Sequence, residues 1–329
     1  MHVLVTGGAG YIGSHAVRAL LRAGHEVTVY DNLSLGHRQA VPPERLEVGS
    51  LHERERLAEL MSGRHIDAVM HFAAFTLVGE SVTDPQKYYL NNVGGSLSLF
   101  SAMRDANVRR CVFSSTAAVY GEPERVPIPE DAPLLPVNPY GFTKLAIERA
   151  LADFAHAYGW GTAALRYFNA AGAHPSGEIG EDHRPESHLI PLVLQVALGQ
   201  REAIQVFGDD YPTPDGTCVR DYIHVEDLAA AHVLALEQLT DGISLQANLG
   251  VGRGYSVREV IETCRKITGR TIAERITERR AGDPASLVAD ATRAAELLGW
   301  RPQSSDLATI VESAWRWHRA HPNGYGTKS

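Results

Sequence analysis

Tyr140 and Lys144 stand four residues apart, so on a helix they share one face. A phenol with a pKa near ~10 is a poor base at neutral pH. A neighbouring ammonium, together with a positive nicotinamide ring, favours the phenolate and lowers that pKa. Such a pair suits proton transfer during oxidation of an alcohol to a ketone. YxxxK is common on helix surfaces, so its weight comes from its surroundings. Residues 6–13 read TGGAGYIG: Gly7, Gly10 and Gly13 fit GxxGxxG, while Gly8, Gly10 and Gly13 fit GxGxxG. A tight glycine turn from strand to helix lets the backbone approach a pyrophosphate at the helix N-terminus. Asp31 follows Gly13 by eighteen residues and ends the next apolar run. A carboxylate there bonds ribose hydroxyls and repels a 2′-phosphate, which favours NAD over NADP. Residues 113–121 (FSSTAAVYG) put Ser114, Ser115 and Thr116 at the end of another apolar run, where open α/β sheets bind ligands. The same hydroxyls could instead bond their own backbone.

These residues need a scaffold to bring them together. Residues 2–6, 26–30, 67–71, 110–114 and 162–168 are short β-rich apolar runs, as expected of strands buried on both faces. Helical signals lie between them. Residues 12–23 end at Gly24 and residues 53–63 carry helical spacing. Asp84-Pro85 predicts a cap opening a helix to about residue 106, and Asn138-Pro139 does the same for a helix to about 158. The alternation predicts an α/β fold: a Rossmann-type doubly wound parallel sheet with a smaller mixed α/β C-terminal substrate domain. The polar stretch 173–188 reads as a loop or domain crossing. We expect residues 1–172 to form the NAD-binding domain, with about 216–240 packing back on it, and residues 173–329 the substrate domain. Ser256 and Glu259 match a capping box for a helix over 257–268. Asp290 is a plausible cap for a helix ending near Gly299, a last helix is expected over 305–319, and the tail PNGYGTKS reads as mobile.

Composition excludes several classes. A chain of 329 residues with 44% hydrophobic and 21% charged residues has an ordinary core. A net charge of −8 argues against a generally basic nucleic-acid binder. Cys111, Cys218 and Cys264 are widely spaced, which fits a reducing compartment, the cytoplasm, rather than a disulfide framework or zinc cluster. Neither a secretory signal nor a membrane-spanning apolar run is seen. The fifteen His form no zincin spacing, and no metal is expected. His71, His224 and His232 read as structural, since Tyr140 already supplies a proton carrier.

TGGAGYIG, FSSTAAVYG, the Tyr140–Lys144 pair and RYFNAAG (166–172) resemble the extended short-chain dehydrogenase/reductase superfamily. HFAAFTLVGES (71–81), YYLNNVGGS (88–96), FGDDYPTPDGTCVRDYIHVEDLA (207–229) and RRAGDP (279–284) narrow the resemblance to the UDP-glucose 4-epimerase family, over about residues 2–300. The resemblance implies tightly held NAD, proton abstraction by Tyr140 from the sugar 4-hydroxyl, rotation of a 4-keto sugar, and hydride return to its opposite face. Thr116 would bond the 4-oxygen, and Lys144 the nicotinamide ribose. Gly7, Gly10, Tyr11, Ile12, Gly13, Asp31 and Asn32 would hold the dinucleotide, with Ser50, Leu51, Phe72, Ala73 and Ala74. Asn91, Ser114 and Tyr167 would lie by the same cofactor. Asn169, His188, Leu189, Phe207, Arg220, Arg280 and Asp283 would hold the UDP-sugar. The arginines also make sense by themselves, because their donor forks match phosphate oxygens.

The chain departs from the family pattern at several places. Gly49-Ser50 replaces a Gly-Asp pair, so Ser50 would bond adenine more weakly. His188 stands where Asn often contacts substrate, and Thr76 where some members carry Lys. Leu287 occupies the position that gates N-acetylated sugars and is intermediate in size. Other substrates of the same chemistry therefore stay open, namely UDP-N-acetylglucosamine or a UDP-pentose. A 4,6-dehydratase needs an acid and base just after the Thr, where Ala117 and Ala118 stand. A non-catalytic NAD sensor would not need the Tyr–Lys pair. The family pairs its helices near 85–106 and 139–158 across a homodimer, and two-fold dimers are common.

Overall fold

The computed structural model describes residues 1–280 and 282–326. The first half runs β1 (His2–Thr6), α1 (Tyr11–Arg22), β2 (Glu26–Asp31), β3 (Leu46–Val48), α2 (Arg54–Gly63) and β4 (Ala68–His71). It continues with α3 (Val78–Thr83), α4 (Pro85–Tyr88), a π-helical turn (Tyr89–Gly94), α5 (Gly95–Asp105), β5 (Arg110–Thr116), α6 (Pro139–Tyr158) and β6 (Gly161–Tyr167). Then come β7 (Asn169–Ala171), α7 (Leu189–Ala197), β8 (Ile204–Phe207), β9 (Val219–His224), α8 (Val225–Gln238) and β10 (Ser244–Leu249). The chain closes with β11 (Gly254–Ser256), α9 (Val257–Thr268), β12 (Glu274–Thr277), β13 (Ser286–Leu287), α10 (Thr292–Leu298) and α11 (Leu307–Ala320).

Among the described residues the main sheet has seven parallel strands in the order β10-β6-β5-β4-β1-β2-β3. The order reverses between β1 and β4, which opens a crevice at their carboxyl ends. One face is covered by α1 and α8, whose Ala16, Val17, Leu20, Leu228 and Leu236 are fully buried. The other is covered by α2, α5 and α6 through Leu57, Met61, Phe100, Ile147 and Leu151. A second layer builds on β9, which pairs with β7, β11 and β13. Its core is packed by α7, α9 and α11.

Local signals explain the elements that matter to the site. Asn138 caps α6 by accepting from the Gly141 N–H at 2.9 Å, Pro139 opens the helix, and Gly159 closes it in the left-handed region at φ 68°. Ser256 and Glu259 form the expected capping box of α9. The expected continuous helix from 84 to 106 is instead interrupted. The first turn is capped by Asp84, and the π-helical turn then carries Asn91 and Asn92 before α5 begins. Such turns recur at functional sites because they re-aim side chains. The helix near Gly299 starts one residue later than Asp290 would set, with Ala291 as its cap. The tail is docked as far as it is described: the Tyr325 N–H donates to Asp182 at 2.9 Å and its ring stacks on His37. Residues 327–329 lie outside the described residues. No helix among the described residues is long and apolar enough to cross a membrane.

Candidate active site

A cavity of about 1200 Å³ lies along the carboxyl ends of the strands and reaches into the second layer. This is more room than one small ligand needs. Of the candidate residues, all line it except Ser114 and Lys144, which stand one layer behind.

At one end the glycine turn follows β1. Gly7 has φ +72°, and a Cβ there would meet the Ala73 backbone nitrogen at 2.5 Å. A Cβ on Gly13 would collide with the Gly7 carbonyl. The turn is therefore built for glycine and leaves the N-terminus of α1 open to an anion. Asp31 is set at the rim, accepting from the Ala9 N–H at 3.0 Å and the Leu33 N–H at 2.8 Å. These features fit a dinucleotide. The wall beside it is made by Phe72, Ala73 and Ala74 after β4, at the sheet's reversal.

In the middle lies the acid–base pair. Parallel register sets Thr116 of β5 beside Tyr167 of β6. Tyr140, in the first turn of α6, is 8% exposed and faces the cavity. Burial raises its pKa well above 10, the nearby Tyr167 and Tyr88 hydroxyls add to this, and the Thr116 hydroxyl pulls the other way. Lys144 sits one turn on, donates to the Ser114 carbonyl at 2.8 Å and lies 4.9 Å from the Phe113 ring centre. Burial pushes its pKa down to about 7, against the pull of Glu148. Burial thus favours the protonated phenol in the protein alone, and the positive nicotinamide ring expected with the ammonium would add the charge that favours the phenolate. Ala117 and Ala118 follow Thr116 on the wall and carry no proton-transfer group. Ser114 acts from behind, its hydroxyl 2.7 Å from the Tyr167 hydroxyl.

At the far end the arginines gather. Arg220 of β9 bonds Asp283 at 3.0 Å, and Arg280 lies 3.8 Å over the Phe207 ring. Asn169 donates to the Asp221 carbonyl at 3.0 Å. Leu189 opens α7, with His188 as its cap residue. Leu287 lies on the same wall. Two cationic forks, an aromatic face and a helix N-terminus together suit a nucleoside diphosphate.

Sequence reasoning missed two supporting groups. Glu148 lies four residues after Lys144, so the spacing alone could have flagged it. It binds Arg166 through two hydrogen bonds of 2.9 and 2.6 Å and also accepts from Ser115. That buried fork pins α6 to β5 and β6 behind the acid–base pair. The other is Glu181, His183 and Glu186, which gather around the already named His188, the four sets of donor atoms lying within 4.8 Å of one another. The alternation of acids and histidines in EDHRPESH was its signal. His71, His224 and His232 are buried and bond Thr6 and Ser96, Ser313, and the Leu228 carbonyl.

Known proteins share this arrangement. A family model described as the NAD dependent epimerase/dehydratase family matches residues 3–250. The chain is 56% identical to the UDP-glucose 4-epimerase of Halalkalibacterium halodurans, covering 100% of this chain and 99% of that one. Its fold is similar, at a TM-score of 0.92, to UDP-glucose 4-epimerase from Brucella ovis in complex with NAD, which is 51% identical across 95% of this chain and 97% of that one. The UDP-glucose 4-epimerase from Bifidobacterium longum in complex with NAD+ and UDP gives a TM-score of 0.93 at 40% identity, across 99% of this chain and 100% of that one.

Proposed function

The chain belongs to the NAD dependent epimerase/dehydratase family, and from that premise we propose that it interconverts UDP-glucose and UDP-galactose by inverting C4 of the hexose. The observation that carries this reading is the Tyr140 phenol at the cavity wall, with Thr116 beside it and Lys144 behind. The likeness over the full length to a UDP-glucose 4-epimerase supports it.

NAD, when bound, supplies the hydride acceptor and donor. The chain's own residues hold and move the proton. Tyr140 takes it from the sugar 4-hydroxyl as C4 is oxidised and returns it as C4 is reduced. Thr116 holds the 4-oxygen. Lys144 would bond the nicotinamide ribose and, when charged, favour the phenolate. The glycine turn and Asp31 would hold the dinucleotide, and Asn91 and Tyr167 line the same cavity. Arg220 and Arg280 clamp the diphosphate, helped by Asn169, Leu189, Phe207 and Asp283. An anchored UDP lets the oxidised sugar turn over without leaving. We assign residues 1–172 to NAD, with α8, β10 and α10 completing that layer rather than the substrate side, and the second layer built on β9 to the UDP-sugar. Exchange between the two UDP-hexoses that disappears in Tyr140→Phe tests the reading. Exchange that survives in that variant removes Tyr140 from its role.

Two wider assignments belong with this proposal. Tyr89, Leu90, Leu97 and Phe142 expose apolar side chains around α5 and α6, which supports a homodimer through these helices. Cys111, Cys218 and Cys264 are buried and free, which suits the reducing cytoplasm.

A further inference from the structure

The loop between β7 and α7 holds four titratable side chains that the proposed chemistry does not use. Glu181 is 3% exposed, and the Glu186 side chain is nearly as buried. Two imidazoles face these carboxylates. His188 Nδ1 lies 2.5 Å from one Glu181 oxygen and 3.6 Å from Glu186, while His183 Nδ1 lies 3.1 Å from Glu181 and 3.8 Å from Glu186. Two carboxylates withdrawn from water need a compensating charge close by. Protonation of the two imidazoles would supply it. The His188–Glu181 contact has the separation of a charge-assisted hydrogen bond.

The cluster also forms part of the cavity wall. His183 and His188 line it, and half of the His188 side chain is open. His188 is the cap residue of α7, a helix of nine residues. Pro191 lacks an N–H, so Leu189 and Ile190 are the backbone donors of that first turn. With Nδ1 occupied by Glu181, Nε2 is the His188 nitrogen left for a ligand.

We propose that Glu181 and Glu186 hold His183 and His188 as an imidazolium pair, and that Glu181 positions His188 to offer a charged N–H to a diphosphate at the start of α7. The inference rests on the UDP-sugar reading and deepens it: the diphosphate is the substrate's, and Glu181 is a positioning residue for it. The electrostatics agree. Burial lowers the pKa of His183, but the Glu181 and Glu186 carboxylates beside it, at 3.1 and 3.8 Å, raise it to about 10. His188 is likewise raised, with the Glu181 charge outweighing burial. Glu181 is held below the usual carboxylate range, because the two histidines outweigh its own burial. The other groups that face the cluster are Tyr11 from α1, backed by His15 and Glu226 of α8, and His318 from α11. Asp182, Arg184 and Tyr325 complete the surroundings.

The test uses the full chain with its retained cofactor, labelled with ¹⁵N-histidine. Long-range proton–nitrogen NMR from about pH 6 to about pH 8 reads the ring states, and His188→Asn assigns the His188 signal. We expect both rings to stay doubly protonated at the upper end. UDP affinity by calorimetry should then vary less than about twofold over the same range. In Glu181→Gln it should fall about tenfold from the lower pH to the higher, the size of one lost charged hydrogen bond, while NAD retention stays level. A His188 ring that titrates near its ordinary pKa in the wild type overturns the proposal, as does a Glu181→Gln affinity indifferent to pH. Stoichiometric zinc whose removal by EDTA abolishes UDP binding would replace the imidazolium pair with a metal. A pH effect on NAD retention in place of UDP moves the diphosphate to the cofactor and overturns the substrate assignment. Wild-type protein that keeps both rings charged yet binds no UDP contradicts the UDP-sugar reading and leaves the ring states intact.

Discussion

Tyr140 and Lys144 are tuned in opposite senses by the same cause. Burial holds the phenol protonated and pushes the ammonium pKa down to about 7. Burial therefore opposes charge on both groups, and a positive ligand ring would favour the phenolate. Replacing Tyr140 by Phe removes only the proton carrier. We expect kcat to fall at least ~100-fold with NAD retention and thermal stability kept; turnover within tenfold of the parent would contradict the assignment. Arg280 makes a separable prediction. It stacks on Phe207 at the end of the cavity away from the glycine turn, so Arg280→Ala should weaken UDP binding about tenfold or more and leave NAD retention alone. Calorimetry with UDP decides it, since an unchanged affinity excludes a phosphate contact.

At the scale of elements, the site depends on how helices are held to the sheet. The Glu148–Arg166 fork fixes α6, and α1 is clasped to α8 by Glu226, which is 2.5 Å from His15 Nδ1 and 3.3 Å from Arg22. Burial alone would raise the Glu226 pKa, but His15 and Arg22 win and bring it from 4.5 to about 2. The unfolded chain therefore binds this proton more readily than the folded one. The clasp's contribution is present above pH 4.5 and lost as pH falls towards about 2. Glu226→Gln should be less stable than the parent in urea at neutral pH, and the gap should close on acidification. A gap independent of pH would show that the carboxylate charge is not what holds the helices. Local caps were readable from sequence because they rest on neighbours only: Asn138-Pro139 and Ser256–Glu259 stand where their residue types require. The π-helical turn was not, since Asn92 is held by long-range bonds to Phe75 and Thr143. The docked tail was missed for the same reason, as Tyr325 bonds Asp182 and Gly180 far away in sequence.

For the whole molecule, the alternation of short apolar runs with helices was enough to imply the doubly wound sheet, because each run had to be buried on both faces. Placing β10 at the sheet edge was not readable, since its pairing with β6 spans about 80 residues of chain with no local signal. The acid–base pair and the glycine turn were legible as motifs. The Glu181 cluster was not, because a polar loop reads as solvent-facing until the second layer covers it. The apolar side chains exposed on α5 and the turn before it make a prediction at this scale. Leu97→Glu should convert the proposed dimer to a monomer in light scattering at micromolar concentration, and an unchanged mass would place any interface elsewhere. The central claim is inversion at C4 with a retained dinucleotide. Its most direct test incubates the purified chain with UDP-galactose and no added NAD, and follows the anomeric proton signals by NMR. The account predicts that UDP-glucose appears and the two sugars reach a fixed ratio; a spectrum that stays unchanged, with or without added NAD, would contradict it.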